Sequence, residues 1–138
     1  MQIPARLPGS KWLLIAWGIS AVFWSMLEGD LARVQLFGFL TTAMIFYTLF
    51  RRVMAGHVFS PLPGLAVMAL WGLSFGVGTV LLTLFLMAVK TGLHAHGPEF
   101  TPFDILSVWQ RLPLYAAAGL LAGLGLGLLL LGRPSDAG

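Results

Sequence analysis

Four long apolar runs, each followed directly by a charged residue, constrain the fold of this chain more than any other feature. They extend over 12–27, 34–50, 63–89 and 112–132. Since a helix rises about 1.5 Å per residue, about 20 residues cross a hydrocarbon core of about 30 Å. The last two runs reach that length, and the first two reach it if Lys11 and Arg33 extend toward the headgroups. The runs lack the alternation of barrel strands, so we expect helices.

The composition agrees with this interpretation. Apolar side chains make up 58% of the 138 residues and charged ones only 9%, whereas a soluble domain carries about 25% charged residues. We therefore expect an all-α integral membrane protein that forms a single domain over 1–138. The four transmembrane helices are predicted at about 11–28, 31–50, 62–89 and 112–132.

A fifth, shorter helix is predicted between the third and fourth spans. Thr101 is placed to cap it, Pro102 suits its first position, and Asp104 stands where the acid of a capping box reaches back. One apolar stripe at helical spacing follows: Ile105, Val108, Trp109 and Leu112. We expect an amphipathic helix at about 102–111 that lies on the outer leaflet.

The distribution of positive charge predicts the orientation. With four spans, the two termini and the middle loop share one side and hold five of the eight Lys and Arg residues. Because Lys and Arg accumulate on the cytoplasmic side, we expect both termini to be cytoplasmic, in a bacterial inner membrane. The charges form no basic stripe, so nucleic acid is not an expected partner.

Titratable groups are scarce inside the spans. Asp, Glu, His and Lys are absent near the middle of each run, and such groups mark ion pathways, proton relays and cofactor ligands. Arg33, about one turn inside the second span, is the exception. We expect it to pair with Asp30 or Glu28 and to point outward; holding an anion is the alternative.

The loop before the short helix contains the most metal-like pattern. His94 and His96 are two residues apart, and Glu99 follows, so the three side chains could complete a zinc or copper site on the outer side. The spacing matches no closed metal site, and a solvated loop is the favoured interpretation. The chain has no cysteine, which excludes thiolate ligands and disulfides. No cofactor is predicted beyond this loop.

Small residues recur at helical spacing in two of the spans. Gly119, Gly123 and Gly127 form a GxxxGxxxG ridge in the last span, and Gly72 and Gly76 lie one turn apart in the third. In lipid no hydrophobic effect drives helices together, so close backbone approach at small residues provides the packing. We expect these five glycines to be helix-packing positions.

These observations favour a non-catalytic role. We expect an accessory or assembly subunit that packs within a larger membrane complex of the respiratory or photosynthetic type, with lipid and other membrane subunits as partners. One alternative is a small homo-oligomeric channel or transporter with a path along Thr79 and Thr83. A second is a metal-handling membrane protein that uses the outer histidines.

Overall fold

The computed structural model describes residues 1–4, 9–26, 30–93 and 99–132. Helices make up nearly all of this part of the chain, and it contains no β-strand beyond one isolated antiparallel bridge between Gln2 and Val58. The five helices are α1 (Lys11–Met26), α2 (Leu31–Val53), α3 (Pro61–Leu93), α4 (Pro102–Gln110) and α5 (Leu112–Leu131).

Capping side chains begin α2 and, as predicted, α4. The carboxylate of Asp30 accepts a hydrogen bond from the backbone N–H of Ala32 at 2.9 Å. At α4 the Thr101 hydroxyl accepts from the backbone N–H of Asp104, while the Asp104 carboxylate accepts from the backbone N–H of Thr101. This reciprocal capping box satisfies two backbone donors that the first turn of a helix otherwise leaves unpaired.

Within the described residues, three helical stretches are long and apolar enough to cross a membrane: α2, α3 and the continuous stretch Pro102–Leu131 that joins α4 to α5. This chain is therefore a helical membrane protein. The first helix is shorter, since its 16 residues rise about 24 Å. A fourth crossing does not follow from length and composition alone.

The helices contact one another in the order of a row. The second helix packs against α1 and α3, and α3 packs against α2 and, most extensively, against α5. The short α4 lies on α3 and the start of α5. This arrangement leaves many large apolar side chains exposed on every long helix, as a lipid environment requires.

Buried apolar side chains form two clusters, one toward each end of α3. The first, near the carboxyl end of α3, includes Phe37, Met87 and Val108 and is bordered by aromatic rings of α1. The second, near the amino end of α3, joins Ile3 to Met68 and to Leu130 of α5. We refer to these as the Met87 cluster and the Ile3 cluster.

The first three residues pair with the loop between α2 and α3. The backbone N–H of Ile3 donates to the carbonyl of His57 at 3.0 Å, that of Gly56 donates to Ile3 at 3.2 Å, and that of Phe59 donates to Met1 at 2.9 Å. Gly56 has a positive φ of 80°, a left-handed conformation that glycine adopts without strain. The side chain of Ile3 is fully buried.

Candidate functional site

A buried lysine occupies the last turn of α3. The side chain of Lys90 belongs to a residue that is only 3% exposed, and its ammonium Nζ donates a hydrogen bond of 2.8 Å to the backbone carbonyl of Trp24. The same Nζ lies 3.6 Å from the carboxylate Oε2 of Glu99. Lys90 thus connects α3 to the end of α1 and to the segment that leads into α4.

Lys90 contacts the Trp24 carbonyl because α1 ends close to that residue. That helix ends at Met26, and the last four carbonyl groups of a helix have no partner within it. The carbonyl end of a helix also carries a partial negative charge, which favours a nearby cation. Lys90 therefore stabilises the end of α1 through both a hydrogen bond and a charge interaction.

Glu99 and the Trp24 ring complete the surroundings of Lys90. The side chains of Lys90 and Glu99 are 4% and 14% exposed, so this is a buried ion pair rather than a surface one. Such a pair costs desolvation energy, and removing one partner leaves an uncompensated charge. The ammonium also lies 5.8 Å from the centre of the Trp24 ring, within the range of a cation–π interaction.

A second polar contact lies nearby, between α2 and the start of α5. The guanidinium Nη1 of Arg111 donates to the side-chain oxygen of Gln35 at 3.0 Å. Both residues border a cavity of about 10 Å³, which Thr79, Thr83 and Tyr115 also line. A volume of this order holds about one water molecule.

The threonines of the predicted polar path bond to their own helix. The hydroxyl of Thr79 donates to the carbonyl of Phe75 at 2.9 Å, and that of Thr83 donates to Thr79 at 2.8 Å. Thr42 does the same toward Gly38 on α2. Such back-bonding satisfies each hydroxyl proton within the helix, so only oxygen lone pairs remain to face the cavity.

Four glycines bring the backbones of α3 and α5 together. A β-carbon at Gly72 would meet the carbonyl oxygen of Gly119, and one at Gly123 would meet that of Met68. A β-carbon at Gly76 would meet the carbonyl oxygen of Tyr115. Gly127 is less confined, because the nearest atom there belongs to the side chain of Leu65 at 3.0 Å.

Arg33 lies beside Asp30 at the start of α2. Its Nε is 3.3 Å from the carboxylate Oδ2 of Asp30, and both side chains are about half exposed, at 46% and 45%. An exposed pair of this kind contributes little to stability. Glu28, the other predicted partner of Arg33, lies outside the described residues.

The predicted metal ligands are only partly covered by the structure. His94 and His96 lie outside the described residues, and Glu99 lies against Lys90. Among the described residues no group of three or more His, Asp or Glu side chains could hold a metal ion.

Lys90 is the residue of this site that sequence reasoning missed. From the sequence alone, Lys90 is interpreted as the charged residue that ends the third apolar run on the outer side of the membrane. The sequence contains one signal that Lys90 could be buried. The third apolar run, which Lys90 ends, is longer than the roughly 20 residues that a crossing needs. The chemistry at this site consists of charge pairing and hydrogen bonding between elements.

Comparison of this chain with known protein families, with curated proteins and with solved structures yields no match.

Proposed function

We propose that this chain is a small non-catalytic membrane protein that packs as an accessory or assembly subunit within a larger membrane complex of the respiratory or photosynthetic type. The observation that supports this proposal is the row in which its helices contact one another. A row has two broad faces and two edges, all open to lipid or to neighbouring subunits. Among its buried polar side chains, the threonines bond within their own helices and Lys90 joins one helix to another.

The edge formed by α5 is the best candidate for a subunit contact. This helix packs on α3 through Gly119 and Gly123, while a β-carbon at Gly125 would have nothing within 4 Å. Large apolar side chains flank that open position, with Leu121 67% and Leu128 59% exposed. Small residues beside large ones allow another transmembrane helix to approach closely, and we expect a glycine-mediated contact here.

We also propose that α1 crosses the membrane as the fourth span. Residues 1–3 pair with the loop at the amino end of α3, and Trp24 lies against Lys90 near its carboxyl end. The chain from Ile3 to Trp24 therefore runs between the two ends of α3. Lys11 at the start of α1 can extend to the headgroups and lengthen a helix that is itself about 24 Å long.

The position of α4 supports its assignment to the outer membrane surface. Val108 belongs to the buried Met87 cluster, whereas Ile105 and Trp109 on the same helix are about half exposed. Tryptophan favours the headgroup level, where its indole ring is buried and its N–H remains hydrated. In this arrangement both termini are cytoplasmic and the membrane is a bacterial inner membrane, as the distribution of Lys and Arg predicts.

Native mass spectrometry tests the proposal on full-length protein extracted from its own membrane in mild detergent. We expect assemblies that contain this chain together with other, larger membrane subunits. The variant Gly125→Leu should keep the fold of the chain and lose those partners, because the added side chain enters open space on α5. Gly18→Leu places the same side chain in open space on α1 and is the matched control.

A particle that contains this chain alone, as one copy or as a ring, would overturn the proposal. A ring that also conducts ions or solutes after reconstitution would establish the channel alternative. Stoichiometric zinc or copper that is lost on replacing both His94 and His96 would establish the metal alternative.

A further inference from the structure

An apolar groove of about 350 Å³ opens toward the membrane between α2 and α3. Thr42 and Ile45 line it on α2, and Gly78, Leu81 and Phe85 line it on α3. An open apolar groove of this size fits a flexible hydrocarbon chain.

Two features of the sequence create the groove and keep it apolar. A β-carbon at Gly78 would lie 3.4 Å from the Phe46 ring and 3.6 Å from the Thr42 methyl group, so any larger side chain there would fill the space. The Thr42 hydroxyl donates to the Gly38 carbonyl at 2.8 Å. That bond satisfies the hydroxyl proton within α2, and the lining presents hydrocarbon to the groove.

A positively charged residue, Arg52, lies near the end of α2 on the same side of the helix as Ile45. Arg52 lies seven residues after Ile45, and residues at this spacing share one face of a helix. The residue is exposed and makes no ion pair within the part of the chain that the structure describes. Ten residues separate Arg52 from Thr42, about 15 Å along the axis and half of a hydrocarbon core of about 30 Å.

The neighbouring Arg51 differs in its surroundings. It lies about 100° further around the helix, away from the groove, and its guanidinium lies 5.9 Å from the centre of the Tyr47 ring. The two arginines therefore have the same charge and the same depth but face different directions.

We propose that this groove and Arg52 form a binding site for one anionic phospholipid, with the phosphate group on Arg52 and an acyl chain in the groove. The depth relation supports this: with Arg52 among the headgroups, the groove lies where an acyl chain ends. Negative headgroup charge complements the guanidinium of Arg52, which has no counterion among the described residues. This site is independent of the proposed subunit role, since it involves α2 and α3 alone.

The test is native mass spectrometry of delipidated full-length protein titrated in detergent with phosphatidylglycerol or with phosphatidylcholine. We expect one tightly held phosphatidylglycerol and weaker binding of phosphatidylcholine. Replacing Arg52 with glutamine should weaken the phosphatidylglycerol adduct about fivefold, the typical effect of one basic residue near an anionic surface. Arg51→Gln, the matched control, should leave that adduct unchanged.

A second variant tests the acyl-chain half of the site. Gly78→Leu should fill the groove and abolish tight binding, whereas Gly92→Leu, at an open position of α3, should not. Equal losses for Arg51→Gln and Arg52→Gln would indicate diffuse charge attraction and would overturn the proposal. Equal retention of both lipids by the unaltered protein would overturn it as well. If Gly78→Leu fails to fold, shortening the acyl chains of the phosphatidylglycerol probe makes the same test, and unchanged affinity would refute the acyl-chain contact.

Discussion

Gly72 and Gly119 face each other so closely that a β-carbon on either residue would meet the carbonyl oxygen of the other. The obstructing atoms belong to backbone, which cannot rotate aside as a side chain can. Within a membrane, close packing of the two helices stabilises such a contact, and exclusion of water does not contribute. The contact between α3 and α5 therefore tolerates little added volume.

The first prediction concerns this pair of helices. Replacing Gly119 with alanine should lower the free energy of unfolding by about 1–3 kcal/mol, the usual cost of forcing additional atoms into a packed contact. Reversible unfolding in mixed micelles, followed by circular dichroism, measures the change.

The matched control is Gly125→Ala, on the same helix with nothing within 4 Å of the new carbon. Its stability should be unchanged or slightly raised, because alanine is the better helix former. Equal effects of the two substitutions would mean that α3 and α5 do not touch at Gly119.

The second prediction concerns the buried pair of Lys90 and Glu99. Lys90→Met should destabilise the protein by about 3–5 kcal/mol, the range for removing one partner of a buried ion pair. The substitution leaves a carboxylate without its cation and the Trp24 carbonyl without its donor. The same unfolding assay reports the loss.

A double-mutant cycle separates the ion pair from the hydrogen bond. The double variant with Lys90→Met and Glu99→Gln should be more stable than Lys90→Met alone, because no charge then remains buried. Strict additivity of the two single effects would show that the two charges do not interact.

The third prediction concerns the first residues of the chain. Ile3→Ala should cost about 2–5 kcal/mol, as expected for a large-to-small change in a core. The neighbouring Gln2 is exposed, so Gln2→Ala should have little effect on the unfolding midpoint. A neutral result for Ile3→Ala would place this side chain outside the Ile3 cluster.

The fourth prediction concerns the number of membrane crossings. The chain lacks cysteine, so single cysteines introduced at Gly9, Val58 and Phe103 report their side of the membrane without background. If α1 spans the membrane, impermeant maleimide should label the cysteines that replace Gly9 and Val58 from one side and the cysteine that replaces Phe103 from the other. Labelling of Gly9 from the same side as Phe103 would contradict the proposed path of α1.

Local signals predicted the helices well. Asp30 caps α2 as its position suggests, and the capping box at Thr101 and Asp104 opens α4. The main difference is at the end of α3, which continues to Leu93 instead of ending at 89. Apolar composition and capping chemistry act over a few residues, so the helices that they produce can be predicted from a sequence.

Contacts between residues far apart in the chain could not be predicted from the sequence in the same way. The carbonyl that Lys90 meets lies 66 residues away, and Ile3 pairs with a loop more than fifty residues later. A lysine at the end of an apolar run is typical of a headgroup-facing charge, and only the length of the run before Lys90 suggests otherwise. Which helices become neighbours depends on packing that periodicity alone does not encode.

The Ile3 cluster has a consequence for assembly during synthesis. Ile3 is synthesised well over a hundred residues before Leu130 of α5, yet Leu130 is one of the groups that enclose its side chain. The segment that carries Ile3 therefore completes its burial only after α5 has entered the bilayer.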